Sequence, residues 1–313
     1  MKLSINDETS RLKSVLLGNA KNIEKNFKGI RFLIGSGFAF SLMTVCVKAI
    51  GGRIPISELV FARATISIII TRFYLYKNNI NPWGYQKRLL IIRGLLGTVA
   101  LFCIFKALTI LPIATATVIQ YIYPTFTVIC AYIILKEFIL RRIVYSIIIG
   151  WIGIVLVSQP EFTSNSNIQE TILAIIIAIF GALMTSLAYI CVRKLSSKEH
   201  PLVIIYYFPL VSIPLSIPFI INDFVLPSGT DWFWIIGIGI FTQIGQLCIT
   251  EGLRLLPAGQ ATSLNYSQVI FASIWGVLIF QEKITSSIYL GGFCVLISTI
   301  ISMSASKRTQ SKI

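Results

Sequence analysis

Arg63 is the residue whose position most invites a chemical reading. It lies about seven residues into an apolar run that begins near Ile56, and Glu58, five residues away, falls off its helical face. An arginine at the centre of a membrane span costs roughly 2.5–3.5 kcal/mol on insertion scales, so such a residue needs compensation. It can serve as a cationic contact for a carboxylate or phosphate on a solute, or it can be satisfied by carbonyls or a partner on a neighbouring helix. Two polar clusters stand at matching depth in two other runs: Gln120-Tyr121-Ile122-Tyr123 and Asn265-Tyr266-Ser267-Gln268. Gln243 and Gln246 add amides about one helical turn apart. Amides and phenols can exchange hydrogen bonds with a polar solute while the rings hold its apolar part. Hydrogen bonds between helices are the competing use of each group. The candidate solute-binding set is Arg63, Gln120, Tyr121, Tyr123, Gln243, Gln246, Asn265 and Tyr266.

Other polar residues fit simpler tasks. Lys48 and Lys106 lie near span ends, where long side chains snorkel to the interface. Glu251 and Arg254 have the i,i+3 spacing of a helical ion pair. Glu137 and Glu282 close two apolar runs, where packing or capping is their expected task. Nothing in the chain suggests covalent chemistry. No metal-ligand spacing, phosphate-cradling glycine motif or nucleophile motif is present, so neither a cofactor nor a metal is expected. The six cysteines all fall in apolar segments, and the one histidine, His200, is in a polar connection. An integral-membrane enzyme would need paired carboxylates, metal ligands or a nucleophile constellation, and these are missing. No Asp or Glu stands at the middle of a span, where proton relays commonly place one. Solute exchange, facilitated diffusion or coupling through some other group is therefore expected.

The elements that must hold these residues are membrane helices. Of 313 residues, 55% are hydrophobic and only 12% charged, and mean hydropathy is +0.82. A soluble domain carries roughly 25% charged residues. The alternation expected of a barrel is absent, which leaves helices as the spanning element. The pattern predicts ten of them, at about 31–50, 56–76, 89–110, 112–135, 140–158, 168–192, 202–221, 231–252, 257–280 and 286–304. Tight turns are expected at Pro112 and Pro257, since proline suits a first helical turn.

The chain also resembles itself at a shift of 145 residues. Leu108, Pro112, Ala116, Thr117, Tyr121, Phe126, Glu137 and Ile139 return as Leu253, Pro257, Ala261, Thr262, Tyr266, Phe271, Glu282 and Ile284. Five helices per copy would give the second copy the opposite sense in the bilayer, the construction of many secondary transporters. The basic residues agree. With the N terminus inside, the cytoplasmic side holds 22 of the 27 Lys and Arg, including seven up to Arg31 and five from Arg72 to Arg93. Outer loops receive Arg53 and Lys283 only, together with Glu161, Glu170, Asp223 and Asp231. Such an asymmetry orients the chain with both termini cytoplasmic. It also accounts for the net charge of +15, and without interleaved aromatics no nucleic-acid partner is expected.

The stretches Arg93-Gly94-Leu95-Leu96-Gly97, Ala107 to Thr117, Tyr123-Pro124 and Leu135-Lys136-Glu137 resemble the EamA-type drug/metabolite transporter superfamily. The second copy, from Gly252 to Ala261 and through Phe280-Gln281-Glu282, is similar to it as well. The resemblance implies an all-α integral membrane protein of ten transmembrane helices in two inverted five-helix repeats, in the bacterial inner membrane. It also implies transport of small organic solutes. The expected division is a basic tail over 1–30, repeats over 31–158 and 168–304, and a C-terminal tail over 305–313. Pro124 becomes Val269 in the second copy, so unequal hinging of the halves is expected. The expected activity is alternating-access movement of a small polar or amphipathic, amino-acid-like metabolite. The alternative is uptake of a host metabolite such as S-adenosylmethionine, suggested by an Ile- and Lys-rich composition typical of AT-rich, host-dependent genomes. A small-molecule solute, membrane lipid and a second copy in a homodimer are the expected partners.

Overall fold

A computed structural model describes the backbone from residue 2 to residue 308, except residues 52, 109, 112, 159–167, 222–223 and 282–285. Side chains are described from residue 23 onward, with a few further omissions. Pro112, Glu161, Asp223, Glu282 and Lys283 therefore lie outside the described residues. All regular structure among the described residues is helical: α1 (Lys2–Ile50), α2 (Ile56–Lys77), α3 (Lys87–Leu108), α4 (Ile113–Gln120), α5 (Tyr123–Cys130), a π-helical turn (Ala131–Leu135) and α6 (Arg141–Ser158). Then come α7 (Ile168–Leu195), α8 (Pro201–Ile220), α9 (Asp231–Leu255), α10 (Ala258–Leu264), α11 (Ser267–Phe280) and α12 (Ser286–Arg308). The basic N-terminal stretch continues α1 without interruption.

Among the described residues, seven helical segments are long and apolar enough to cross a bilayer: Ile23–Ile50, Ile56–Lys77, Ala116–Leu135, Gln169–Leu195, Pro201–Ile220, Asp231–Leu255 and Ala258–Phe280. Tyr289–Ser304 is a shorter apolar helix. Their outward faces carry exposed Ile69 and Phe73 on α2, Ile172, Leu173 and Ile176 on α7, and Leu290, Phe293 and Ile300 on α12. Soluble proteins rarely expose apolar surface on this scale. The buried positions hold an unusual share of hydroxyls, among them Ser36, Ser41, Thr98, Ser146, Ser212 and Ser298. Apolar outside and small polar inside is the pattern of a multi-pass membrane protein, where small residues and hydroxyls join helices.

The elements repeat at the sequence's own offset. Shifted by 145 residues, α2, α3 and α6 begin within a residue of α8, α9 and α12. The packing repeats too. α1 packs on α9 and α3 on α7; α2 on α9 and α3 on α8; α1 on α11 and α5 on α7. Each pair becomes the next when the halves exchange roles. α2 on α8, and α6 on α12, map onto themselves.

The α6–α12 contact fixes a direction. Arg142 reaches the Ser304 carbonyl, Ser146 and Ser298 exchange hydroxyl-to-carbonyl hydrogen bonds of 2.9 and 2.7 Å, and a Cβ on Gly153 would lie 2.7 Å from the Gly291 carbonyl oxygen. Rising numbers on α6 meet falling numbers on α12, so these repeat-related helices run antiparallel. Only glycine allows backbones this close.

Two of the expected helices are interrupted, at equivalent places. The run from residue 113 breaks at Tyr121-Ile122 between α4 and α5; the run from residue 258 breaks at Asn265-Tyr266 between α10 and α11. In the first copy Pro124 explains the break, because it has no N–H for the Gln120 carbonyl and its ring crowds that turn. The second copy breaks although Val269 replaces the proline. There the turn is bridged by short-range bonds, Gln268 N–H to the Asn265 carbonyl and Val269 N–H to the Tyr266 carbonyl, both 3.0 Å. Neighbouring Ser263 also bonds the backbone, to the Gln260 carbonyl, and such side chains compete with helix hydrogen bonding. The halves are thus both interrupted, contrary to the unequal hinging expected from proline alone.

Candidate functional site

The α2–α8 and α3–α8 contacts gather two arginines on one ring. The Arg63 guanidinium, from α2, stacks on Phe208 of α8 at 5.5 Å, and that of Arg93, from α3, stacks on the same ring at 4.9 Å. Phe208 is the repeat counterpart of Arg63, so the contact lies where the halves meet. Gly94 and Gly97 let α3 approach: a Cβ at either would touch α8 at 2.8–3.0 Å. Stacking on an aromatic face favours a guanidinium, more so away from water. It leaves N–H groups unpaired. Arg93 is 4% exposed and donates from Nη2 to Gln246 Oε1 at 3.2 Å. Its Nε and Nη1, and Nε of the half-buried Arg63, are buried without a hydrogen-bond partner. The two guanidiniums, stacked on the same Phe208 ring, carry like charge.

Sequence reasoning placed Arg93 among the cytoplasmic-loop cations; the structure corrects this. The residue sits in the second turn of α3, inside the protein. A usable signal existed, because its repeat counterpart is Ile238, 2% exposed within the first third of α9.

The two helix breaks form the neighbouring wall. Tyr189 meets Tyr123 with ring centroids 5.6 Å apart, Tyr123 meets Tyr121 at 6.2 Å, and Tyr121 meets Tyr266 at 6.0 Å. Asn265 Nδ2 donates to the Tyr123 hydroxyl at 3.1 Å, leaving the Asn265 Oδ1 buried and unpartnered. The Tyr266 hydroxyl donates to the Tyr121 carbonyl at 3.4 Å, a group that the broken helix leaves over. Arg63, Gln246, Tyr121, Tyr123, Asn265 and Tyr266 thus belong to polar groups that α2, α9 and the two breaks supply to the interior. Gln120, half-buried, ends α4 beside the first break. Gln243 is placed differently. It is 2% exposed, its Oε1 accepts from Ser67 and its Nε2 donates to Thr71 at 2.8 Å. Both ends of that amide are spent tying α9 to α2.

Hydrogen-bonded ties close the bundle at its ends. Glu137 pairs with Arg193 at 2.8 Å and accepts from Ala258 N–H at 2.9 Å, capping α10, whose N-cap is the extended Pro257. Arg193 also donates to the carbonyls of Leu253 and Arg254, which α9 leaves unbonded at its C terminus. Packing or capping is the task expected for Glu137, and capping is the one seen. Glu251 and Arg254 form the i,i+3 pair at 2.8 Å. Glu199 receives the N–H groups of Tyr85, at 2.6 Å, and Gln86, and Arg53 pairs with Asp231 at 2.8 Å. Glu58 accepts from Val225 N–H at 3.1 Å. These carboxylates are occupied away from Arg63 and Arg93. Among the described residues no group of three or more His, Cys, Asp or Glu could hold a metal ion.

A lipid-facing bundle with a polar, doubly cationic interior and paired helix breaks is the setting in which the comparisons take on meaning. The EamA-like transporter family matches twice, over residues 27–159 and 172–304, the two matches carrying the internal offset. The chain belongs to this family, within the drug/metabolite transporter superfamily, and is a membrane transporter. It is similar to the pseudopaline exporter CntI of Pseudomonas aeruginosa, 25% identical over 90% of this chain and 97% of that one. It is also similar to the probable transport protein YPL264C of Saccharomyces cerevisiae, 27% identical over 92% of each chain. Mouse solute carrier family 35 member G1 is 27% identical, over 87% of this chain and 77% of that one. A solved crystal structure superposes with a TM-score of 0.77 at 16% identity, over 93% of this chain and 99% of the other, and shares the fold.

Proposed function

We propose that this protein is an alternating-access carrier for a small polar or amphipathic, amino-acid-like metabolite with an anionic part. In this reading ten membrane helices form two inverted five-helix repeats, in a bacterial inner membrane, with both termini cytoplasmic. The observation that carries it is Arg63, stacked on its own repeat counterpart Phe208 with a buried, unpartnered Nε. A cation held at the junction of two repeats, beside two interrupted helices, is the arrangement from which both membrane faces can be reached in turn. The antiparallel course of α6 and α12 supports inversion, and the Lys and Arg placement supports the orientation. Relatives named as an exporter and a solute carrier support movement of small organic molecules.

The test is uptake of a metabolite mixture into sealed vesicles bearing the purified protein, read by mass spectrometry. A carrier accelerates uptake when the same solute is loaded inside. Flux that ignores internal solute would replace the carrier by a channel.

A further inference from the structure

Taking the carrier reading as its ground, we infer that this site selects small organic dianions, one carboxylate held by Arg63 and a second by Arg93. Both guanidiniums stack on one Phe208 ring. Arg93 spends a single N–H, on Gln246. Its Nε and Nη1, and the Nε of Arg63, are buried donors without acceptors. A guanidinium carries five N–H donors in a planar fork that matches a carboxylate. Among the described residues, the carboxylates of Asp231, Glu137 and Glu251 form their ion pairs with other arginines, Arg53, Arg193 and Arg254.

The charges decide the class. Two like charges inside the bundle, on the buried Arg93 and the half-buried Arg63, are unfavourable until an anion arrives. A monoanion neutralises one and leaves the other; a neutral solute or a cation leaves both or adds repulsion. A dianion matches both, and discrimination then comes from the groups a poorer solute would leave unpaired. Arg93 therefore acts as a second binding residue.

The test is a counterflow series in vesicles containing the full chain, using succinate and glutarate against butyrate and putrescine, with the metabolite mixture alongside. Dicarboxylates are expected to exchange at least about tenfold better than butyrate. Arg93→Gln is expected to erase that preference, and Arg93→Lys to keep part of it. Thermal melting of the purified protein checks folding of each variant. It is also expected to rise with succinate in the wild type and not in Arg93→Gln. Exchange of monoanionic or neutral solutes with no gain from a second negative charge overturns the inference but leaves the carrier standing. So does a preference that survives in Arg93→Gln. Absence of exchange for every solute overturns the carrier reading, and this inference with it.

Discussion

Tyr121 and Tyr266 occupy equivalent positions of the two repeats and meet each other, ring centroids 6.0 Å apart, with the Tyr266 hydroxyl bonded to the Tyr121 carbonyl. Each belongs to a helix break. A residue that touches its own repeat counterpart must lie close to the axis relating the halves. Arg63 and Phe208 do the same on α2 and α8. In the carrier reading proposed above, these pairs would mark the line about which the halves exchange conformations.

Arg63→Gln removes the charge while keeping a hydrogen-bonding side chain. A hydrogen bond to a charged group contributes about 1.5–3 kcal/mol, so apparent affinity should fall roughly tenfold to a hundredfold with normal membrane levels. Concentration-dependent uptake in vesicles measures it. Unchanged transport would remove Arg63 from the binding site.

Gly150 of α6 faces the break. A Cβ there would press into the Tyr266 ring and lie 2.7 Å from Ser298 Oγ. Tyr266 is completely buried and cannot swing away. Gly150→Ala should destabilise the protein by about 1–3 kcal/mol, the usual penalty of overpacking. A lower melting temperature in detergent and slower exchange are the readouts; an unchanged melt contradicts the packing described here.

Tyr85 and Thr230 are repeat equivalents, both exposed in connections preceding α3 and α9. In a background without the six native cysteines, Tyr85→Cys and Thr230→Cys should react with a membrane-impermeant maleimide from opposite sides, Tyr85→Cys from the cytoplasm. Labelling of both from one compartment excludes inverted repeats.

His200 caps α8: its Nδ1 accepts from Leu202 N–H at 3.3 Å, which a protonated Nδ1 cannot do. Partial burial pushes the imidazole below its usual range, and Arg254 adds to this while Glu251 opposes it. The folded state thus binds a proton less readily than the unfolded chain. This contribution is complete above the unfolded value of about 6.5 and weakens as pH falls through it. Melting from roughly pH 7.5 to pH 5.5 should drop more for the wild type than for His200→Asn, a cap that does not titrate. Parallel curves refute the assignment.

Much of this architecture was legible in the residues. Apolar runs of spanning length, basic residues on one set of connections, and Pro, Tyr and Glu returning at one offset establish a membrane bundle with an internal repeat. Each is a property of composition or of linear spacing, and composition controls which segments leave water. Glu137 was readable as a packing or capping residue from its place at the end of an apolar run, but not as the cap of α10.

What faces what was decided only in three dimensions. A soluble helix advertises its inner face by hydrophobic periodicity, but in lipid both faces are apolar and that signal fades. Nothing local distinguishes Gln243, consumed by Ser67 and Thr71, from Gln246, which holds Arg93. Nothing local predicts that α11 would follow a break without a proline, or that Arg63 and Arg93 would share the ring of Phe208. Those pairings depend on close approach of helices far apart in the chain, set by glycines such as Gly94 and Gly153 whose partners exist only once the bundle has assembled.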